Sequence, residues 1–200
     1  MRKNRTILLI SLLIFVSSIF IQRCQNQTNK TGGTVEVKNT TYKGWDEAIK
    51  IDNNKIKVIV VPAIGRIMSF GYSDGQNLLW NNEKYLGQRM PYLDNEIEAS
   101  DWINYGGDKV WPLEEDAFPR ALSRSWPPDE YFDNSAFEYK LLENGVIIKS
   151  PVSKNTGTAL TRKITMAENS TQLNIAQEVT QVKTEPKYPV TIWKIGRAHV

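Results

Sequence analysis

The chain has 200 residues, of which 10% are aromatic and 24% charged; this composition is that of a globular protein and excludes a largely disordered chain. A single cysteine and a single histidine exclude an intramolecular disulfide, and they are too few for a zinc, haem or iron–sulfur site built from this chain alone. The net charge of +3 comes from the ends, because removing six basic residues there leaves 19 basic residues against 22 acidic ones.

The first 23 residues have the pattern of an export signal. Arg2, Lys3 and Arg5 precede an apolar run at residues 7–21. As a helix this run would be about 22 Å long, which is short of the ~30 Å hydrocarbon core of a bilayer. We therefore expect export to a bacterial cell envelope rather than a membrane span.

Cys24 follows the apolar run, which resembles a bacterial lipoprotein signal in which this cysteine is freed by cleavage and lipidated. Arg23 stands where such signals usually have a small residue, so an ordinary cleavage site beside a spare cysteine is the alternative. Residues 24–33 are polar and are interpreted as a tether. The expected protein is a membrane-anchored lipoprotein, or otherwise a periplasmic or secreted one.

Residues 34–193 are predicted to form an antiparallel β-sandwich, because short strand-like runs alternate there with turn residues. Asn144-Gly145 is the strongest hairpin signal in the chain. The expected hairpins pair residues 48–52 with 55–61, 64–72 with 77–80, 137–143 with 146–150, and 158–167 with 172–182.

Residues 81–135 lack strong strand signals and are predicted to be loops that pack over one face of the sheet. Short helical turns are expected near residues 83–86 and 114–118. The segment is rich in carboxylates, and oxygen ligands for Ca²⁺ are the only metal chemistry that the sequence offers. No metal site and no cofactor are predicted from it.

Residues 194–200 resemble the translation of a sequencing adapter, so we expect a foreign tail that begins at Lys194 or Ile195; a genuine basic tail is the alternative. Between the two ends, no stripe of Lys and Arg is interleaved with aromatic residues. This pattern argues against a nucleic acid as a partner.

Two segments carry the most specific signals, Val61-Pro-Ala-Ile-Gly-Arg-Ile-Met-Ser-Phe70 and Asn104-Tyr-Gly-Gly-Asp-Lys-Val-Trp-Pro112. In this order they resemble the galactose mutarotase-like superfamily, the relatives of aldose epimerases. The resemblance covers residues 45–193, about the N-terminal half of such a domain. It implies a large twisted β-sandwich, truncated at its C-terminus here, with a cleft for a carbohydrate.

In characterised members of that superfamily an arginine or asparagine from the early strands holds sugar hydroxyls, and Arg66 matches the arginine. No histidine matches the family's general acid, and the late glutamate base would lie beyond residue 193. Catalytic residues are therefore not assigned, and the full-length form is expected to act on sugars only if that base is present.

The residues also suggest a sugar site without the resemblance. A sugar has an apolar ring face and a fringe of hydroxyls, so it binds an aromatic platform beside polar groups. Gly106-Gly107 allows a tight turn, after which Asp108 offers an acceptor, Lys109 a donor and Trp111 a face. The predicted carbohydrate-binding residues are Arg66, Trp80, Asp108, Lys109 and Trp111.

Structural roles are open for each of these residues. Arg66 could pair with a carboxylate and stabilise the sheet, Trp80 could be a core residue, and Asp108 and Lys109 could form a surface ion pair. The alternatives to a sugar-active protein are a non-catalytic carbohydrate-binding lipoprotein and a structural envelope protein. The sequence leaves the sugar and the oligomeric state open.

Overall fold

The computed structural model describes residues 34–90, 102–183 and 190–196, and in these ranges ten strands form two antiparallel sheets. The predicted signal, tether and Cys24 lie outside the described residues. The strands are β1 Glu36–Tyr42, β2 Trp45–Asp52, β3 Ile56–Val61, β4 Arg66–Tyr72, β5 Asp108–Trp111, β6 Glu138–Leu142, β7 Gly145–Lys149, β8 Thr158–Met166, β9 Leu173–Gln181 and β10 Trp193–Gly196.

The larger sheet has the strand order β1-β2-β3-β4-β5-β10, and the smaller has the order β6-β7-β8-β9. The prediction of an all-β sandwich is confirmed. The hairpins β2–β3, β6–β7 and β8–β9 form as expected. In the first of them the Asn53 side chain accepts hydrogen bonds from the backbone N–H groups of Lys55 and Ile56, which fixes the turn.

The main core lies between the two sheets and follows the two-residue period of the strands. Ile56, Val58 and Val60 of β3 point toward the smaller sheet, where they meet apolar residues of β7 and β8 such as Ile148 and Ile164. Ile59 and Val61 point to the opposite face of the larger sheet. Both faces of this sheet are therefore buried.

The second face of the larger sheet is covered by the described parts of residues 81–135, as predicted. Ile103 and Tyr105 pack there against Trp45 and Met68, and a separate cluster surrounds Trp111. The covering segment contains 3-10 helices at Glu83–Tyr85 and Glu115–Ala117 and two short helices, α1 Phe118–Ala121 and α2 Glu130–Asp133. No helix in the described ranges is long and apolar enough to cross a bilayer.

Two local predictions were wrong. Residues 77–80 lie beside β4, where Leu78 N donates to Phe70 O at 2.8 Å, but they form no strand. The Asn77 side chain takes the neighbouring backbone groups instead: it accepts from Phe70 N and Leu79 N and donates to Met68 O. β5, which was predicted to be a turn, pairs with β4 as a strand at Ile67 and Asp108.

The two glycines before β5 allow this arrangement. Gly106 and Gly107 have φ angles of +85° and +72°, which favour glycine. A Cβ on Gly106 would lie 2.3 Å from the Trp80 carbonyl oxygen, and one on Gly107 would lie 2.5 Å from that of Ile67. The chain can therefore enter the sheet only where side chains are absent.

The strand β10 pairs with β5 in antiparallel register, with Trp193 opposite Trp111 and Lys194 opposite Val110. Residues 194–196, which the sequence assigns to the predicted foreign tail, thus form part of the sheet. The foreign origin of these residues stays a prediction.

Asp129 joins the covering segment to the smaller sheet. It is 3% exposed, it accepts a hydrogen bond from the Ser153 hydroxyl at 2.7 Å, and it caps α2 through Tyr131 N. Burial raises the pKa of Asp129 to about 7. The folded protein therefore holds this carboxyl protonated at pH values where the unfolded chain ionises it.

Asp129→Asn is expected to flatten the pH dependence of stability. Between the ordinary pKa of 3.8 and about 7 the unfolded chain binds fewer protons than the folded one, so the wild-type free energy of unfolding falls as pH rises. The slope due to this group is about 1.4 kcal/mol per pH unit at most. Urea denaturation at about pH 5, 6 and 7 measures it. Equal slopes in the variant and the wild type would contradict the assignment.

Candidate functional site

The strand β5 divides the predicted motif between two faces of the sheet. Asp108 and Val110 face the smaller sheet, whereas Lys109 and Trp111 face the covering segment, because side chains alternate along a strand. Arg66 of β4 lies on the same face as Lys109 and Trp111. The three residues predicted to serve one sugar site after the Gly106-Gly107 turn are thus divided between two faces, with Asp108 on the opposite face from Lys109 and Trp111.

Arg66, Lys109 and Trp111 meet at the carboxylate of Asp133, which is the last residue of α2 and is 1% exposed. Its Oδ1 accepts from Arg66 Nη2 at 3.0 Å, Lys109 Nζ at 2.9 Å and Trp111 Nε1 at 2.7 Å. Its Oδ2 accepts from Trp102 Nε1 at 2.7 Å. One buried carboxylate therefore binds four side-chain donors; we call these five residues the Asp133 cluster.

Aromatic rings surround the two cations of the cluster. The ammonium nitrogen of Lys109 lies 4.3 Å from the ring centroid of Trp111 and 5.0 Å from that of Trp102. The guanidinium of Arg66 lies 5.4 Å from the ring centroid of Tyr105. These distances are in the range of cation–π attraction, which is strong where water is excluded.

Arg66 is also held by backbone and amide oxygens. It donates to Gly106 O at 2.9 Å, to Asp133 O at 3.0 Å and to Asn134 Oδ1 at 2.7 Å, and it is 0% exposed. The interpretation that Arg66 pairs with a carboxylate and stabilises the sheet thus has direct structural support. Its predicted role in sugar binding stays a prediction.

The electrostatics of the cluster favour an ionised Asp133. Burial alone would raise the pKa of this carboxyl, but the nearby charges of Arg66 and Lys109 and the hydrogen bonds from Lys109 and Trp111 hold the pKa below its ordinary value. Burial raises the pKa of the neighbouring Tyr105 to about 12, so its phenol stays neutral at physiological pH.

Asp108 forms a second buried ion pair on the other face of β5. Its Oδ1 accepts from Arg162 Nη2, and Arg162, which is 0% exposed, also donates to Asp108 O at 3.2 Å. Burial lowers the pKa of Arg162, and the carboxylate of Asp108 opposes that shift. This pair joins β5 of the larger sheet to β8 of the smaller one.

The sequence reasoning missed Arg162 and gave no role to Asp133. Arg162 occupies an inward position of β8 between Leu160 and Ile164, so the alternation signalled a buried cation that needs an acidic partner. No comparable signal marks Asp133, which precedes an irregular segment.

Asp108 lines a cavity of about 230 Å³ between the sheets, with Lys194 Nζ 3.5 Å from its Oδ2. The other lining residues are apolar: Ile67, Phe70, Leu79, Leu173 and Ile175. Among its described lining residues only Asp108 and Lys194 are polar, whereas a sugar needs a fringe of polar groups.

Trp80 is half-buried and lies beside the entry to β5, where its carbonyl oxygen accepts from Gly107 N at 2.8 Å. The structure thus brings Arg66, Trp80, Lys109 and Trp111 to the β4–β5 region. It places Arg66, Lys109 and Trp111 in the interior rather than on an open surface.

A larger cavity, of about 350 Å³, lies beside the Asp133 cluster; we call it the Trp193 cavity. Trp193 packs edge-to-face on Trp111, with ring centroids 5.7 Å apart, so the indole in the cavity wall rests on the buried cluster. The described lining residues are Glu114, Glu115, Asp116, Thr191, Ile192 and Trp193.

Two hydrogen bonds shape this cavity. Thr191 N donates to Pro112 O at 3.0 Å, and the Thr191 hydroxyl donates to Glu114 Oε1 at 3.5 Å. They hold the segment before β10 against the segment that follows β5. In the described residues no group of three acidic, histidine or cysteine side chains is arranged to hold a metal ion.

Asp133→Ala is expected to destabilise the fold by about 3–5 kcal/mol, because Arg66 and Lys109 would stay buried without their carboxylate. The free energy of unfolding from urea denaturation measures the loss. Asp116→Ala, at an exposed position of the same segment, is the matched control and should change stability by less than about 0.5 kcal/mol. A loss for Asp133→Ala as small as the control's would show that the cluster contributes little.

Comparisons with known proteins place the chain in a family. No curated protein and no solved structure matches it. The family model described as Domain of unknown function (DUF4380) matches residues 47–198, a range that contains most of β2, all of β3 to β10 and both buried ion pairs. Since this match covers more than half of the chain, the protein belongs to the DUF4380 family.

Proposed function

We propose that this protein is an exported carbohydrate-binding β-sandwich, related to the galactose mutarotase-like superfamily, and that the sugar binds in the Trp193 cavity. The observation that carries the proposal is the combination in one cavity of an indole ring, a hydroxyl and three carboxylates. Carboxylate oxygens accept hydrogen bonds from sugar hydroxyls, while the apolar ring face packs on the indole.

The Asp133 cluster has a supporting role in this proposal. Trp111 is fixed by its hydrogen bond to Asp133, and Trp193 packs on Trp111. A platform held in this way loses little side-chain entropy when a ligand binds. Arg66, Lys109 and Trp111 thus contribute to the site by positioning its wall and not by touching the sugar.

Trp193→Ala is expected to weaken sugar binding by about tenfold or more, because the variant loses the stacking surface. Glycan-array screening of the full chain identifies a ligand, and calorimetry on wild type and variant measures the change. Tyr139→Ala, which removes a 39% exposed aromatic side chain on β6, is the matched control. Unchanged binding in Trp193→Ala, with circular dichroism showing an intact fold, would remove the cavity from consideration.

The same samples separate binding from catalysis. Turnover of a reducing sugar at the background rate, with binding intact, would identify a non-catalytic binding protein. Turnover above background would favour an epimerase-like activity. Either result is compatible with the proposed site, whose claim concerns binding.

A structural envelope protein is the second candidate function, and a specific observation favours it. The aromatic residues of the covering segment pack inward: Phe118 is 0% exposed, and Trp102 and Trp126 contact each other at 4.7 Å between ring centroids. If this candidate is correct, no glycan binds above background.

The proposal of export includes a lipid on Cys24. In a bacterial host, Cys24→Ser is expected to abolish incorporation of labelled fatty acid and to shift the protein from the membrane fraction to the soluble fraction, because a diacyl anchor is lost. Immunoblots of the fractions measure the shift. Equal membrane association of Cys24→Ser and wild type would contradict the lipid anchor.

A further inference from the structure

We propose that the Trp193 cavity selects amine-bearing and neutral sugars and rejects uronic acids. This inference rests on the proposed function and adds the charge class of the ligand to it. It follows from three observations: the acidic residues on the cavity wall, the position of Lys194 on the opposite face of the sheet, and the contacts that hold the Lys109 ammonium in the interior.

The described part of the cavity wall has one sign of charge. Of the six described residues that line it, Glu114, Glu115 and Asp116 are acidic and none is basic. All three are exposed residues. A wall of this sign attracts a cationic ligand and repels an anionic one, and a concave shape strengthens the effect.

The neighbouring lysine does not offset this charge. Lys194 follows Trp193 on β10, and strand alternation places it on the opposite face of the sheet. There its Nζ lies 3.5 Å from Asp108 Oδ2, in the apolar cavity between the sheets. Arg120, on α1, is exposed and is not one of the described lining residues.

The interior of the protein shows how an ammonium group would be held. Lys109 Nζ lies over Trp111 at 4.3 Å and contacts Asp133 Oδ1 at 2.9 Å, so an indole face and a carboxylate bind one ammonium together. The Trp193 cavity is lined by the same two kinds of group, an indole and carboxylates, and none of its described lining residues is a lysine. A protonated amino sugar can supply the ammonium there.

The test compares three matched sugars in each of two series: glucose, glucosamine and glucuronate, and galactose, galactosamine and galacturonate. Binding to the full chain is measured by calorimetry at about pH 6, where the amine is protonated and the uronate ionised, and at low and high ionic strength. The expected order is amine, neutral, uronate, with at least about a fivefold step between the amine and the uronate at low salt that shrinks at high salt.

Replacing the acidic side chains by their amides removes the negative charge but keeps side chains of the same size that can form hydrogen bonds, so these variants measure what the charge contributes to sugar selectivity. The triple variant Glu114→Gln, Glu115→Gln, Asp116→Asn should bind the three sugars of a series with nearly equal affinity. Glu115→Gln alone, a second variant in case the triple one does not fold, should reduce the preference. Glu143→Gln, in the exposed turn between β6 and β7, is the matched control and should leave the order unchanged.

The outcomes distinguish the inference from the function on which it rests. A uronate that binds as tightly as the neutral sugar would overturn the charge selectivity and leave carbohydrate binding in place. A preference for amines that persists in the folded triple variant would also overturn it, because the selecting charges would then lie elsewhere. Absence of binding for all six sugars and on the glycan array would overturn both proposals.

Discussion

One buried carboxylate in the covering segment collects the charged side chains of the larger sheet that face it. Asp133 accepts hydrogen bonds from β4, from β5 and from the segment that precedes β5, and it does so where water is excluded. A buried ion placed in this way stabilises a structure only when its partners are all present, since an unpaired charge in the interior costs several kcal/mol. The two cations and the carboxylate therefore require each other, and together they require α2 to lie against the sheet.

The second ion pair, Asp108 with Arg162, places an analogous constraint on the opposite face of β5. The two pairs fix the register of this strand. A slip of one residue would exchange the faces, bringing Asp108 toward Asp133 and Lys109 toward Arg162. Both new contacts would be between like charges, so the correct alignment is favoured over its nearest competitors. Four residues between two glycines and a proline thus connect both sheets and the covering segment.

This arrangement also explains why the candidate site lies beside the most specific sequence motif and not within it. The charged and aromatic side chains of β5 satisfy one another in the interior, where they form a rigid base. The Trp193 cavity lies at the border of that base, where Trp193 packs on Trp111 and acidic residues of the covering segment face solvent. Polar groups that remain accessible there can bind a ligand, whereas those of the Asp133 cluster form hydrogen bonds and ion pairs with one another.

The sequence by itself determined the hairpins β2–β3, β6–β7 and β8–β9, because their signals are local: alternating apolar residues, Asn-Gly and Asn-Asn turns, and runs of β-branched residues specify strands between near neighbours. It also identified Arg66, Lys109 and Trp111 as unusual side chains in apolar surroundings. What it could not supply was their partners. Asp133 lies 67 residues from Arg66 and Arg162 lies 54 residues from Asp108, and no local pattern reports a contact over such separations.

Only the tertiary structure decided that residues 108–111 are a strand and not an exposed turn. Two consecutive glycines in a sequence indicate a turn. Here Gly106 and Gly107 let the backbone pass within van der Waals distance of Trp80 and Ile67 and enter the sheet. Once β5 is a strand, alternation sends Asp108 to one face and Lys109 to the other. The sequence identified the unusual residue types. The face of the sheet on which each side chain lies depended on a pairing between distant strands, and this pairing forms only when the whole sandwich is assembled.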